Sequence, residues 1–310
     1  MRLGTHRVDG EDRACLVVGD EIVDLPDALR SLGITLPRAG LRPFLELPDW
    51  RGLGAQVAAG PPDEARRWPL DSADFRPPVP DPSKVLVAGA NTRSHIEEAR
   101  PLTGAAAPNR PMFLAKASTA ICGPRDPIVK PPETSKLDYE VEVGVVIGRP
   151  ARRLTVENAL DSVAGCMVVN DVSARDIQLA DYEDNPFYRT HFLGKSFDSF
   201  CPSGPVLVTL DELPALADLR LRTWVNGEVR QDSTVADLWF PIPVLVSFLS
   251  SVMTLLPGDV ICTGSPAGVA YFRQPPAFLK EGDIVICEVT SIGRLENRVV
   301  AETGIQSAGR

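Results

Sequence analysis

The chain has 310 residues, 44% of them hydrophobic, and a formal net charge of −9, so it can bury a sizeable core unaided and is too apolar for a disordered protein. The acidic balance and the lack of a basic stretch exclude the footprint of a nucleic-acid binder, and the longest apolar stretch, 242–256, is too short to span a bilayer and is interrupted by Ser247, Ser250 and Ser251. Residues 1–12 are polar and charged, so no signal-peptide core is expected, and six scattered cysteines without a Cys-x-x-Cys pair fit reduced thiols in a cytoplasmic setting.

Two segments emerge along the chain. Residues 1–75 open with short alternating strand patterns at 14–18 and 21–25, followed by a polar region rich in Gly, Pro and Arg, and are expected to form a small N-terminal domain. Pro77, Pro78, Pro80 and Pro82 mark a stiff connector over 76–83. The remainder, 84–310, is expected to be the catalytic domain. There, 84–90 reads as a buried strand, 94–99 as the start of a helix, 137–148 and 163–170 as strands, and 173–180 as a helical turn. Asn226-Gly227 between 221–225 and 228–231 is a hairpin signal, and 242–255 has helical spacing. Strands dominate without regular alternation with helices, which predicts an α+β, mostly β fold rather than a doubly wound sheet.

Carboxylates stand out in this pattern. In Leu137-Asp138-Tyr139-Glu140-Val141-Glu142-Val143, strand alternation puts Asp138, Glu140 and Glu142 on one face. Two buried glutamates side by side repel each other and lose hydration, penalties that a hard cation relieves; a solvent-facing acidic sheet edge is the alternative. Asp171 adds a third carboxylate where a strand becomes a turn. Its alternative role is local capping, although Ser173 and Asp176 already resemble a capping box there. Three carboxylates suit Mg²⁺ or Mn²⁺.

Four motifs then coincide: Leu-Asp-Tyr-Glu-Val-Glu at 137–142, Asn-Asp-Val-Ser-Ala-Arg-Asp at 170–176, Gly-Lys-Ser-Phe-Asp at 194–198 and Thr-Gly-Ser-Pro-Ala-Gly-Val at 263–269. In this order they resemble the fumarylacetoacetate hydrolase family, over residues 84–298. The resemblance implies a β-roll or distorted β-barrel, a Mg²⁺ or Mn²⁺ site on Glu140, Glu142 and Asp171, a homodimer, and 2-oxo or 2,4-dioxo acid substrates.

Other side chains join this expected site. Ser94 and Glu97 read as a capping box, which leaves His95 and Glu98 on one helical face as an imidazole–carboxylate pair. The resemblance implies that this pair activates water; as a lone fragment it would more often be a surface pair. Lys195, by the resemblance, points at the substrate's carboxylate and oxo oxygens, and Gln178 is a substrate contact. Thr263, Gly264 and Ser265 form a loop suited to a carboxylate, with Ser265 standing where relatives commonly have Thr. Lys116 is a weaker match to a family lysine and is left outside the catalytic set. The aromatic and charged stretch 181–192, with Tyr188 and Arg189, reads either as a specificity segment or as an ordinary surface loop.

The function expected is metal-dependent hydrolysis of a C–C bond in a 2,4-dioxo acid of acylpyruvate or fumarylpyruvate type, through an enolate. The alternative is a lyase or isomerase on a related 2-oxo acid: oxaloacetate decarboxylation, hydroxymuconate-type isomerisation or sugar-acid dehydration. The expected partner is thus a small 2-oxo acid, with no nucleic acid and no membrane.

Overall fold

The computed structural model describes residues 1–104, 106–179 and 190–303, with side chains for all of these except 102 and 103. Among them, twelve strands form one sheet. Its path runs from Arg67–Pro69 through Glu21–Asp24, Glu11–Val18 and Arg2–Val8 to Cys201–Thr209, Val163–Asn170 and Val141–Ile147, and ends on Val260–Cys262, Val85–Gly89 and Met112–Lys116. A second sheet of five strands runs Glu228–Thr234, Arg220–Val225, Ile284–Val289, Gly293–Ala301 and Ile128–Lys130. The expected mostly β, α+β class is observed. Both sheet paths have free ends, so the β-roll is open and no closed barrel forms among the described residues.

The centre lies where Val141–Ile147 pairs antiparallel with Val163–Asn170, both strands buried along their whole length. Valine-rich, largely apolar runs are what a strand covered on both faces requires. Gly144 is needed there: a Cβ would come within 2.4 Å of Val169 Cγ2. The inner strands of the two sheets pack on each other through this core. The N-terminal strands belong to the larger sheet, joined by Arg2↔Val208 and Leu3↔Leu207. The proline-rich stretch is fastened to them, since the Thr5 hydroxyl donates to Pro78 O at 2.8 Å and Val79 is fully buried.

The expected strand 163–170 and the hairpin at Asn226-Gly227 appear as read, and the helix expected over 242–255 runs Ile242–Val252. Three local readings are corrected. The strand over 137–148 breaks at Tyr139 and Glu140, because the Asp138 carboxylate turns away to accept the backbone N–H groups of Tyr139, Ala270 and Tyr271. Helix Arg93–Thr103 is capped by Thr92, not Ser94, whose hydroxyl binds Asp237 across the chain, so the Ser94–Glu97 capping box does not form. The Ser173–Asp176 box is absent too: Ser173 faces Glu140, and Asp176 binds Thr134 and Ser135.

Candidate active site

Register builds the acidic centre. Val141↔Asn170 and Glu142↔Val169 are partners across the ladder, so Glu140, Glu142 and Asp171 gather at the same end of two neighbouring strands. The Asp171 N–H donates to Glu140 O at 2.8 Å and closes that end. Ligand oxygens of the three carboxylates lie within 4.8 Å of one another, and all three residues are buried. Asp138 does not share this face, for the reason given above.

Three cations surround the acids. Lys195 Nζ donates to Asp171 Oδ2, to Ser173 Oγ at 2.8 Å and to Glu140 Oε1 at 3.1 Å. Lys195 reaches them from the short helix His191–Lys195, which sits against the Arg175–Gln178 turn because Gly194 has no Cβ; one would lie 2.5 Å from Gln178 N. Lys116 Nζ donates to Asp171 Oδ1 at 2.5 Å and Val172 O at 3.0 Å. Arg175 pairs with Glu140 at 2.8 Å, donates to Asp138 Oδ2 at 2.8 Å and donates to Gln178 Oε1 at 2.9 Å.

The two glutamates therefore differ electrostatically. Burial pushes Glu140 up, but Arg175, Lys195 and His95 outweigh it and hold the carboxyl well below the usual range. Burial also pushes Glu142 up, and the Asp171 and Glu140 charges add to that; the Gly264 N–H, donating to Oε2 at 2.6 Å, only partly compensates. Lys195 is held protonated, since Asp171 and Glu140 overcome its own burial cost. Among the described residues, Asp138, Glu140 and Asp171 thus share three cations (Lys116, Arg175, Lys195), and Glu142 stands outside these ion pairs. Converging, buried and under-neutralised carboxylate oxygens are the donor set that a hard divalent cation takes. The residues fit Mg²⁺ or Mn²⁺.

A cavity of about 160 Å³ opens on this centre. Glu140, Glu142, Asp171, Arg175, Lys195, Gln178, His95, His191 and Ser265 line it, with Met112, Leu114 and Phe272 among its apolar walls. His95 Nδ1 lies 2.6 Å from Glu98 Oε1, and the Gly268 N–H donates to Glu98 Oε2 at 2.8 Å. A carboxylate at Nδ1 keeps the hydrogen on that nitrogen and leaves Nε2 to exchange a proton. The imidazole is also held edge-on against Phe272, with ring centroids 5.5 Å apart.

The expected substrate loop divides. Ser265 lines the cavity, whereas the Thr263 hydroxyl donates to Val143 O at 3.0 Å and Gly264 serves Glu142 through its N–H. Tyr188 and Arg189, with most of the 181–192 stretch, lie outside the described residues. Sequence reading missed Arg175 and Ser173 as members of the site and set Lys116 aside. Besides its weak match to a family lysine, the signal for Lys116 was a cation at the end of the apolar run Phe113-Leu114-Ala115, where a buried charge needs an acid beside it.

Comparison with known proteins agrees with this architecture. The profile of the fumarylacetoacetate (FAA) hydrolase C-terminal family matches residues 84–300. Rat "Oxaloacetate tautomerase Fahd2a, mitochondrial" is 40% identical over 232 residues, covering 75% of this chain and 71% of that protein. The fumarylacetoacetate hydrolase of Exiguobacterium antarcticum superposes with a TM-score of 0.80 at 33% identity, covering 97% of this chain and 100% of that one. Maleylpyruvate hydrolase from Sphingobium sp. SYK-6, in complex with manganese(II) and pyruvate, gives a TM-score of 0.76 at 28% identity over 98% of this chain and 100% of that one. Among the described residues no helix is long and apolar enough to cross a membrane.

Proposed function

The chain belongs to the fumarylacetoacetate hydrolase family, and from that premise we propose that it is a metal-dependent enzyme interconverting the keto and enol forms of a short 2-oxo diacid of the oxaloacetate type. The observation that carries this reading is the meeting, on one small cavity, of a buried carboxylate triad, the Lys195 ammonium and a carboxylate-held imidazole. The 40% identity to a rat oxaloacetate tautomerase supports the choice of substrate class.

Held by Glu140, Glu142 and Asp171, Mg²⁺ or Mn²⁺ would supply positive charge that polarises the 2-oxo group. Lys195 keeps its proton and offers a fixed charge to the oxygen that becomes negative as the adjacent carbon loses hydrogen. His95 Nε2 accepts that proton and returns it to oxygen or carbon, while Glu98 holds the ring and stabilises its charged form. Gln178, its oxygen engaged by Arg175, keeps its amide N–H₂ for a substrate oxygen. The homodimer implied by the family belongs to the same proposal.

A second reading is hydrolysis of a C–C bond in an acylpyruvate. The same His95–Glu98 pair favours it, because a positioned imidazole beside an apolar wall can equally deprotonate a water. Ultraviolet measurement of enol-oxaloacetate decay, with Mn²⁺, with Mg²⁺ and with EDTA, tests the first reading beside a panel of acylpyruvates. Accelerated, EDTA-sensitive ketonisation is expected. A rate equal to that of buffer, alongside cleavage of acylpyruvates, transfers the assignment to hydrolysis. His95→Ala is expected to lower turnover on the order of 10²- to 10⁴-fold and to leave Mn²⁺ affinity in place.

A further inference from the structure

One buried amide outside the cavity controls a hydroxyl inside it. Gln231 lies on strand Glu228–Thr234 and is 1% exposed. Its orientation is unambiguous, because both ends meet backbone groups that have no choice of role. Oε1 accepts from the Val141 N–H at 3.1 Å and from the Thr223 hydroxyl at 2.9 Å, while Nε2 donates to the Pro266 carbonyl at 2.8 Å. The same nitrogen donates to Ser265 Oγ at 2.8 Å. Ser265 therefore spends a lone pair on Gln231 and keeps its hydrogen. Among the described residues no acceptor takes that hydrogen, and Ser265 lines the cavity beside the carboxylate triad. A serine hydroxyl lacks the χ1 restriction of a β-branched side chain, so the amide is what selects its direction.

We propose that Gln231 is a positioning residue that makes the Ser265 hydroxyl an obligate donor into the cavity, so that the ligand must present an acceptor there: a carboxylate or oxo oxygen. The choice of ligand rests on the reading of the cavity as a 2-oxo acid site. Two consequences follow from the hydrogen-bond count. Removing the hydroxyl loses one bond to an anionic oxygen. Replacing Gln231 by Glu reverses the pair, since a carboxylate has no N–H and draws the Ser265 O–H toward itself, away from the ligand.

The test is calorimetric binding of oxalate, a diacid that offers only acceptors, to the Mn²⁺-loaded protein. Ser265→Ala is expected to weaken oxalate on the order of 10-fold or more, the size of a bond to a charged acceptor, and Ser265→Thr to restore it. Gln231→Glu is expected to weaken oxalate comparably, and the Ser265→Ala/Gln231→Glu double variant to bind no worse than Ser265→Ala alone. Should the buried glutamate prevent folding, Gln231→Met takes its place in the same cycle with the same expected non-additivity. Unchanged affinity in Ser265→Ala, or losses that multiply in the double variant, would overturn the proposal; the latter outcome makes Gln231 a purely structural residue. Oxalate binding is read without turnover, so a Ser265-dependent ligand site with no oxaloacetate tautomerisation would defeat the proposed function and leave this assignment standing.

Discussion

Two buried acid clusters in this molecule are balanced in opposite ways. Near the N-terminus, Asp24 and Asp27 meet Arg13, Arg30 and Arg66. Arg13 grips Asp24 through two bonds of 2.6 and 2.9 Å, and Arg66 Nε donates to Asp27 at 2.6 Å. With the exposed Glu11 at 3.5 Å from Arg13, acids and arginines are equal in number there. Around the acidic centre, Asp138, Glu140 and Asp171 take up three cations, and among the described residues Glu142 has a backbone N–H but no ion pair. The first cluster is a complete set of pairs and needs nothing further. The second leaves Glu142, whose burial and acidic neighbours outweigh the nearby Lys195 charge and the Gly264 N–H, and that imbalance is one a hard cation would relieve.

This contrast can be broken by experiment. The largest effect is expected from Glu142→Gln. Mn²⁺ affinity should fall by more than about 100-fold, beyond what the loss of an outer hydrogen-bond partner of a metal ligand costs, while the metal-free protein should melt no lower than wild type, because an uncompensated buried charge has gone. If the variant kept its Mn²⁺ affinity, the two clusters would not differ in function. Asp24→Asn should do the reverse. It keeps the cap that accepts the Asp27 N–H but takes from Arg13 its two-bond carboxylate partner, leaving it Asp27 at 3.1 Å and Glu11 at 3.5 Å. A loss of roughly 2 kcal/mol in urea unfolding is expected, below the full value for a buried pair because Arg13 and Arg66 keep some solvent.

The smallest effect is in pH dependence, where the signs should oppose. A carboxyl raised in the folded state binds its proton more tightly there than when unfolded. The cost of Glu142 therefore grows as pH rises above the ordinary 4.5 toward its raised folded value, and is relieved as pH falls back to 4.5. The stability advantage of metal-free Glu142→Gln should shrink over that range. Burial pushes Asp27 up, but Arg66, Arg13 and Arg30 prevail and hold it below 3.8. Its contribution is fully present above 3.8 and is lost as pH drops further, so the cost of Asp27→Asn should fade only in that lower window. Melting curves across pH with each variant as the reference check both signs.

How far the sequence reveals these features depends on whether they are local. Strand 163–170 could be read because its burial on both faces writes an unbroken apolar run, and Glu140 with Glu142 could be read because alternation is a property of neighbours. Asp138 could not. Its carboxylate is captured by N–H groups more than a hundred residues away, and that capture breaks the strand which alternation had extended through it. Ser94 and Ser173 mislead for the same reason: each reads as a local cap, and its hydroxyl is drawn to a carboxylate far along the chain. The Gln231 amide spans from Val141 to Pro266, and no spacing rule joins those three positions. The His95–Glu98 contact, three residues apart on one helix, needed no such knowledge.

The pairing of Arg2–Val8 with Cys201–Thr209 also sets a limit on dissection. A cut in the proline-rich stretch looks like a natural place to free a smaller catalytic unit. It would instead strip a neighbour from Cys201–Thr209, the strand adjoining Val163–Asn170, and present its bare N–H and C=O groups to solvent. Exposed edges of that kind recruit other chains. Such a fragment is expected to self-associate, so the first seventy-five residues act, whatever else they do, as the seal on a sheet that would otherwise be sticky.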